Sequence, residues 1–262
     1  MRAVALLLVV SLPAIAFAHD TWLLPTRGAF AVGEPVLLEM TSAMKFPEPE
    51  VPAKPERIVR SGLRLGGTTV ALAPLEGGGK ALKLSAPTKT DGLAAIWAES
   101  LPREIDMKPA QVEHYLDEVG APEVRDEWTK GGRGPWHEKY VKYTKSFVRV
   151  GTPREDRSWA EPVGLAFEIV PAADPGQAAP GQPFTVQVLE DGRPAAKQSL
   201  AAVTSGGSVA STQVTDGEGR ATFQLGRSGP WMIRATRIRP GDTKGTWHSR
   251  FTTLTFHVGT VR

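Results

Sequence analysis

Gly and Pro punctuate this chain closely, which favours short regular elements separated by turns. The 262 residues hold 27 Gly and 22 Pro, and the apolar runs between them are short and compatible with β-strands. In the first third these runs are TWLLP, EPVLLEMTSA, RIVRSGLRLGG, TTVALAPL and GLAAIWAES. Short strands bounded by turn residues at this spacing predict an antiparallel sandwich.

The middle breaks that pattern. In KPAQVEHYLDEVG, Pro109 sits where a helix starts, and Val112, Tyr115, Leu116 and Val119 recur at helical spacing. Gly120 supplies the stop. PEVRDEW predicts a second short helix. Trp136, Tyr140, Tyr143 and Phe147 are spaced to face one way, before the chain turns extended at SFVRVG. The expectation is a helical insertion at about residues 105–145 that crosses one end of the sandwich.

Strand GLAFEIVP then returns to the first unit, and the aperiodic PAADPGQAAPGQP reads as a linker. Beyond it the pattern is again β. An Asp191-Gly192 turn joins two strands, a second turn lies at Gly217 to Gly219, and WMIRATRI and FTTLTFHVG follow. In the last strand Leu254, Phe256 and Val258 alternate with Thr253, Thr255 and His257, which places the latter three toward solvent. The predicted fold class is therefore mainly β: two β-sandwich domains, the first with a helical insertion, the second immunoglobulin-like or prealbumin-like. The expected organisation is a signal peptide at 1–18, a β-rich domain at 19–170, a linker at 171–183 and a small sandwich at 184–262.

Residues 1–18 have the parts of a secretory signal: Arg2, an apolar run, and the small-x-small triplet Ala16-Phe17-Ala18. The apolar run is too short for a membrane span, so the expectation is cleavage after Ala18, export to a periplasm, and no transmembrane segment after signal removal. The chain has no cysteine, which excludes disulfides, thiolate metal sites and cysteine nucleophiles. An exported protein of this kind is held together by burial alone.

The net charge of +3 fits a solvated surface of mixed sign. Arg227, Arg234, Arg237, Arg239, Lys244 and Arg250 gather late in the chain, but no dense basic run or nucleic-acid motif accompanies them, so no nucleic-acid partner is expected. Enzyme signatures also fail. EGGGKA lacks the spacing of a phosphate loop, GGSVA is not a nucleophile elbow, and no carboxylate pair has a recognisable spacing. The expectation is a protein that is not an enzyme.

One residue stands out chemically. Cleavage after Ala18 leaves His19 with a free α-amine, and that amine and the imidazole Nδ1 close a chelate ring on one metal ion. Their ordinary pKa values, about 7.7–8.0 and about 6.5, leave both available near neutrality. Imidazole suits Ni, Co, Cu and Zn, and Asp20 adds a carboxylate beside it. The bland alternative is that His19 is merely the residue after a cleavage site. His114 lies on the first predicted helix with Glu118 one turn on. It reads as a solvated i,i+4 pair, or as a further metal ligand if the helix brings it across the sandwich end. His137, His248 and His257 read as surface or packing residues.

The opening HD-x-WL-x-P, the stretch KYVKYTKSFVRVG, the strand GQPFTVQVLEDGRP and the ending TDGEGRATF, WMIRATR and W-x-S-x-x-TTLTF together resemble one family. It is the largely uncharacterised bacterial family of exported two-domain proteins associated with nickel and cobalt uptake, often described as periplasmic components of metal transporters. The resemblance spans nearly the whole mature chain, and from its opening motif His19, Asp20, Trp22, Leu23 and Pro25 carry over. It implies a protein that captures a divalent transition metal, Ni2+ or Co2+ with copper as an alternative, for a membrane metal-transporter permease. His19, Asp20 and His114 are then the candidate ligands. Two other functions stay open: a structural or adhesive sandwich module of the cell envelope, and a copper-dependent oxidative enzyme.

Overall fold

The computed structural model describes residues 19–259; the signal-like segment 1–18 lies outside the described residues. The chain is mainly β, with helices α1 (Pro109–Glu118) and α2 (Pro122–Lys130). The main strands are β1 (Asp20–Pro25), β2 (Val36–Ala43), β3 (Ile58–Leu65), β4 (Leu82–Ala86), β5 (Gly92–Ser100) and β6 (Arg103–Met107). After the helices come β7 (Trp136–Val150), β8 (Phe167–Pro171), β9 (Pro183–Glu190), β10 (Ser199–Thr204), β11 (Val209–Val214), β12 (Arg220–Gln224), β13 (Gly229–Pro240) and β14 (Thr246–Val258).

A ten-stranded sheet forms the middle layer, in the order β11-β10-β13-β14-β7-β5-β3, with Thr68–Val70 beyond β3, β6 paired to the first part of β7 and Ala29–Phe30 paired to its end. The pairing of β7 with β14 is parallel, from His137↔Thr246 to Ser146↔Thr255. The middle sheet therefore takes strands from both sides of residues 171–183, which themselves join the antiparallel pair β8 and β9.

Two smaller sheets cover opposite faces of this layer. In β5, Ala94, Ile96 and Ala98 face a core shared with β1, β2 and β4. Leu93, Ala95 and Trp97 face a second core shared with β8, β9 and β12. Two sandwiches thus stand back to back on a common sheet. Burial on both faces explains why GLAAIWA is continuously apolar rather than alternating.

The helix signals correspond to real structure. Pro109 opens α1, and Gln111 Oε1 accepts from the Lys108 N–H at 2.9 Å. Val112, Tyr115 and Leu116 are buried, and Gly120 at φ +64° ends the helix where a side chain would be strained. With α2 they cover Trp136 and Trp247, whose rings stack at 4.3 Å.

Two expectations change. Trp136, Tyr140, Tyr143 and Phe147 do not share a helix face, because residues 136–150 form one long strand. With a period of two, Trp136, Glu138, Tyr140 and Lys142 point one way, and Tyr143, Lys145 and Phe147 the other. The threonine face of β14 is also not at the surface: Thr253 and Thr255 are buried. Strand β1 crosses it, and their hydroxyls donate to Thr21 O at 2.7 Å and Leu23 O at 2.5 Å. Strand β1 spends its other edge on β2, in register Asp20↔Ala43 to Pro25↔Leu38.

Candidate functional site

The even-numbered face of β7 opens into a cleft of about 530 Å3. His19, just before β1, and Thr21 of β1 stand at one side and Arg103, Ile105 and Met107 of β6 at the other. Register puts Arg103 opposite Tyr140, Ile105 opposite Glu138 and Met107 opposite Trp136, so alternate residues of two paired strands share one wall. Tyr115 of α1, Phe251 of β14 and the segment carrying Lys54 and Arg57 complete the lining.

Glu138 forms the floor. It is buried, and it accepts from Tyr115 Oη at 3.0 Å and Trp136 Nε1 at 2.7 Å. Burial raises its pKa, and the donors Trp136, Ser249 and Tyr115 hold part of that rise back. Burial likewise raises Tyr140, against the pull of the Arg103 and Arg57 guanidiniums.

Lys142 holds the start of the described chain. Its Nζ donates to His19 O at 2.6 Å and Thr21 Oγ1 at 3.1 Å, and sits 5.7 Å from the Tyr140 ring and 5.8 Å from the Phe251 ring. Burial lowers this ammonium from the ordinary lysine range to about 8, although the Asp20 charge opposes the shift.

His19 lines the cleft. Its Nε2 lies 3.8 Å from Glu50 Oε2. Asp20 turns away: its Oδ2 meets Arg234 Nη1 at 2.5 Å, and the same nitrogen reaches Glu118 Oε1 at 3.4 Å. Burial raises the Asp20 pKa while Arg234 pulls it down. His114 lies on the exposed face of α1 and is not among the residues lining the cleft. Among the described residues there is no group of three or more His, Cys, Asp or Glu that could hold a metal ion.

Trp22 and Leu23 of the opening motif are structural. Trp22 packs edge-on to Phe46 at 5.4 Å, with Val203 and Met232 in the same cluster, and Leu23 belongs to the first core. Sequence reasoning missed Glu138, Tyr140 and Lys142, although the alternation in WHEKYVK carried the signal once a strand rather than a helix was assumed.

The family model described as a domain of unknown function (DUF4198) matches residues 16–239, most of the chain. The chain belongs to that family. The DUF4198 match includes β1 and every strand that lines the cleft except β14. No curated protein matches this DUF4198 chain. Among solved structures, the D0-D1 domain of Intimin is similar at 14% identity, covering 90% of this chain and 97% of that one, with a TM-score of 0.22. FdeC, an Escherichia coli adhesin, is 14% identical over 91% of this chain and 63% of its own, with a TM-score of 0.22. The trypsin-activated alpha-2-macroglobulin from Escherichia coli is 11% identical over 91% of this chain and 15% of its own, with a TM-score of 0.24. Overlaps this slight transfer no function to the DUF4198 chain. No helix among its described residues is long and apolar enough to cross a membrane.

Proposed function

We propose that this protein is an exported metal-capture protein, which binds Ni2+ or Co2+, with copper as the alternative, and passes it to a membrane permease. The observation that carries this reading is the anchoring of His19 at the cleft. Lys142 grips its carbonyl at 2.6 Å, and Glu50 stands 3.8 Å from Nε2. A carboxylate on the Nε2 side is where the outer-shell partner of a ligating histidine stands. Nδ1 is then the nitrogen left for metal, on the side of the residue's own backbone nitrogen. Cleavage after Ala18 converts that nitrogen to an amine, and amine plus Nδ1 make the chelate. Asp20 supplies charge pairing to Arg234 rather than a ligand bond.

The test compares processed wild type, His19→Ala, and a form with one extra residue ahead of His19, by calorimetry with Ni2+, Co2+ and Cu2+. The extension keeps the imidazole but turns the amine into an amide, a far poorer ligand. Both altered forms are expected to lose affinity, and the difference shrinks in acid, where protons compete with the metal for the nitrogen ligands. Equal affinity of the extended and processed forms refutes the chelate.

A structural or adhesive module is the second reading. Strand β11 favours it, because it is the outer strand of the middle sheet and exposes Val209 and Val214. Adhesion to an envelope polymer that survives His19→Ala and is lost on Val214→Lys supports that reading over metal capture.

A further inference from the structure

The metal reading leaves three features of the cleft unused. Its volume of about 530 Å3 is far larger than one ion needs. His19 furnishes two nitrogens at most, and no acidic or histidine cluster among the described residues adds the rest of a coordination shell. The lining is also cationic: Lys54, Arg57, Arg103 and Lys142 stand against Glu104 and Glu138, and the Glu138 carboxylate is already satisfied by Tyr115 and Trp136. Such a wall repels a bare divalent cation and attracts an anion.

We infer that the metal enters this cleft as an anionic chelate, held by an organic polycarboxylate whose free carboxylate groups dock on Arg103, Arg57 and Lys142. The inference rests on the metal reading and names the form of its cargo. The small ligand supplies the oxygen donors that the protein lacks, and His19 supplies nitrogen to the open positions. Arg103 is exposed and lies across from Tyr140 on the same wall, where its guanidinium hydrogen-bonds the Tyr140 hydroxyl and offers its remaining donors to a carboxylate. Arg57 is fixed by two bonds from Nη2, to Leu101 O at 2.9 Å and Pro102 O at 3.0 Å, so it presents its remaining donors without further ordering. Lys142 lies deepest, beside His19 itself. Hydrophobic contacts from Ile105, Met107 and Phe251 suit the carbon skeleton between the acid groups.

Calorimetry on the processed protein separates the possibilities, with three titrants: NiCl2, sodium citrate, and a preformed one-to-one nickel–citrate complex. The complex is expected to bind at least tenfold more tightly than either component. Arg103→Gln, a change at an exposed residue, is expected to weaken the complex roughly tenfold, the scale of one charge-assisted pair, and not to weaken Ni2+ alone, which the arginine repels. Arg57→Gln is the second variant and acts in the same direction. If Ni2+ alone binds as tightly as the complex and depends on His19, the chelate inference falls and metal capture stands. If Arg103→Gln leaves the affinity for the complex unchanged, the inference also falls. If citrate alone binds as tightly as the complex and His19→Ala has no effect, both the inference and the metal reading fail.

Discussion

Lys145 and Glu168 form an ion pair at 2.6 Å with side chains only 1% exposed, one on the middle sheet and one on β8. The perturbation of interest is Lys145→Met, which keeps most of the side-chain stem and removes the ammonium. Glu168 would then be a buried carboxylate without its cation. Breaking a buried pair from one side costs about 3–5 kcal/mol. The surroundings set where in that range the cost falls. Glu168 also accepts from the N–H groups of Val163 at 2.8 Å, Gly164 at 3.0 Å and Leu165 at 3.2 Å. Those three donors stay in place, so the lower end, about 3 kcal/mol, is expected. For a chain of this size that is a fall of roughly 6–12 °C in Tm. Glu168→Gln should cost more, because the carboxamide turns an NH2 group toward those same backbone donors and leaves the ammonium unpaired. Burial already lowers the Lys145 pKa, and without Glu168 it falls further. Folded protein then binds fewer protons than unfolded protein below the ordinary lysine value of about 10.4, so stability rises with pH toward that value. Urea denaturation at pH 7 and pH 9.5 measures both effects. A loss under about 1 kcal/mol for Lys145→Met, or a Glu168→Gln variant whose stability is flat with pH, refutes the assignment of this pair as a tie between the layers.

Gly219 has φ +72°, and a Cβ there would sit 2.6 Å from Val188 O and 2.9 Å from Ala195 N; Gly219→Ala should cost about 2–4 kcal/mol by strain and backbone clash, read from urea melts. Asp20→Asn removes the charge that faces Arg234 at 2.5 Å and should cost about 1–3 kcal/mol, with faster amide exchange in α1 through the remaining Glu118 contact. Burial pulls Lys142 down to about 8, so the affinity for metal-free citrate, which involves no amine–metal bond, should fall as pH rises from 7 to 9. Lys142→Met should abolish that fall, and an affinity flat across this range in wild type removes Lys142 from the site. Thr255→Val leaves Leu23 O without its 2.5 Å donor and should cost about 1–3 kcal/mol by thermal melting.

Much of the local architecture was legible in the sequence because it depends on near neighbours. Asp191 at φ 50° and Gly192 at φ 76° make the turn their residue types favour. The stripe Val112, Tyr115 and Leu116 is the buried face of α1, and His19 could be singled out from the triplet that precedes it. Periodicity names a face but not the partner that will cover it. Thr253 and Thr255 read as solvent-side until β1, more than 200 residues earlier, lies across them. WHEKYVKY reads as helical or extended with equal ease until β14 pairs with it in parallel. That pairing places Glu138, Tyr140 and Lys142 on one wall, and an antiparallel partner in β6 brings Arg103 opposite. The charge states follow from the same assembly, since a lysine is pulled to about 8 only when other elements exclude water around it. The sequence alone therefore placed both helices and most strands, β7 excepted. Tertiary structure decided the three layers, the cleft and its charge, because burial and pairing are properties of residues distant in the chain.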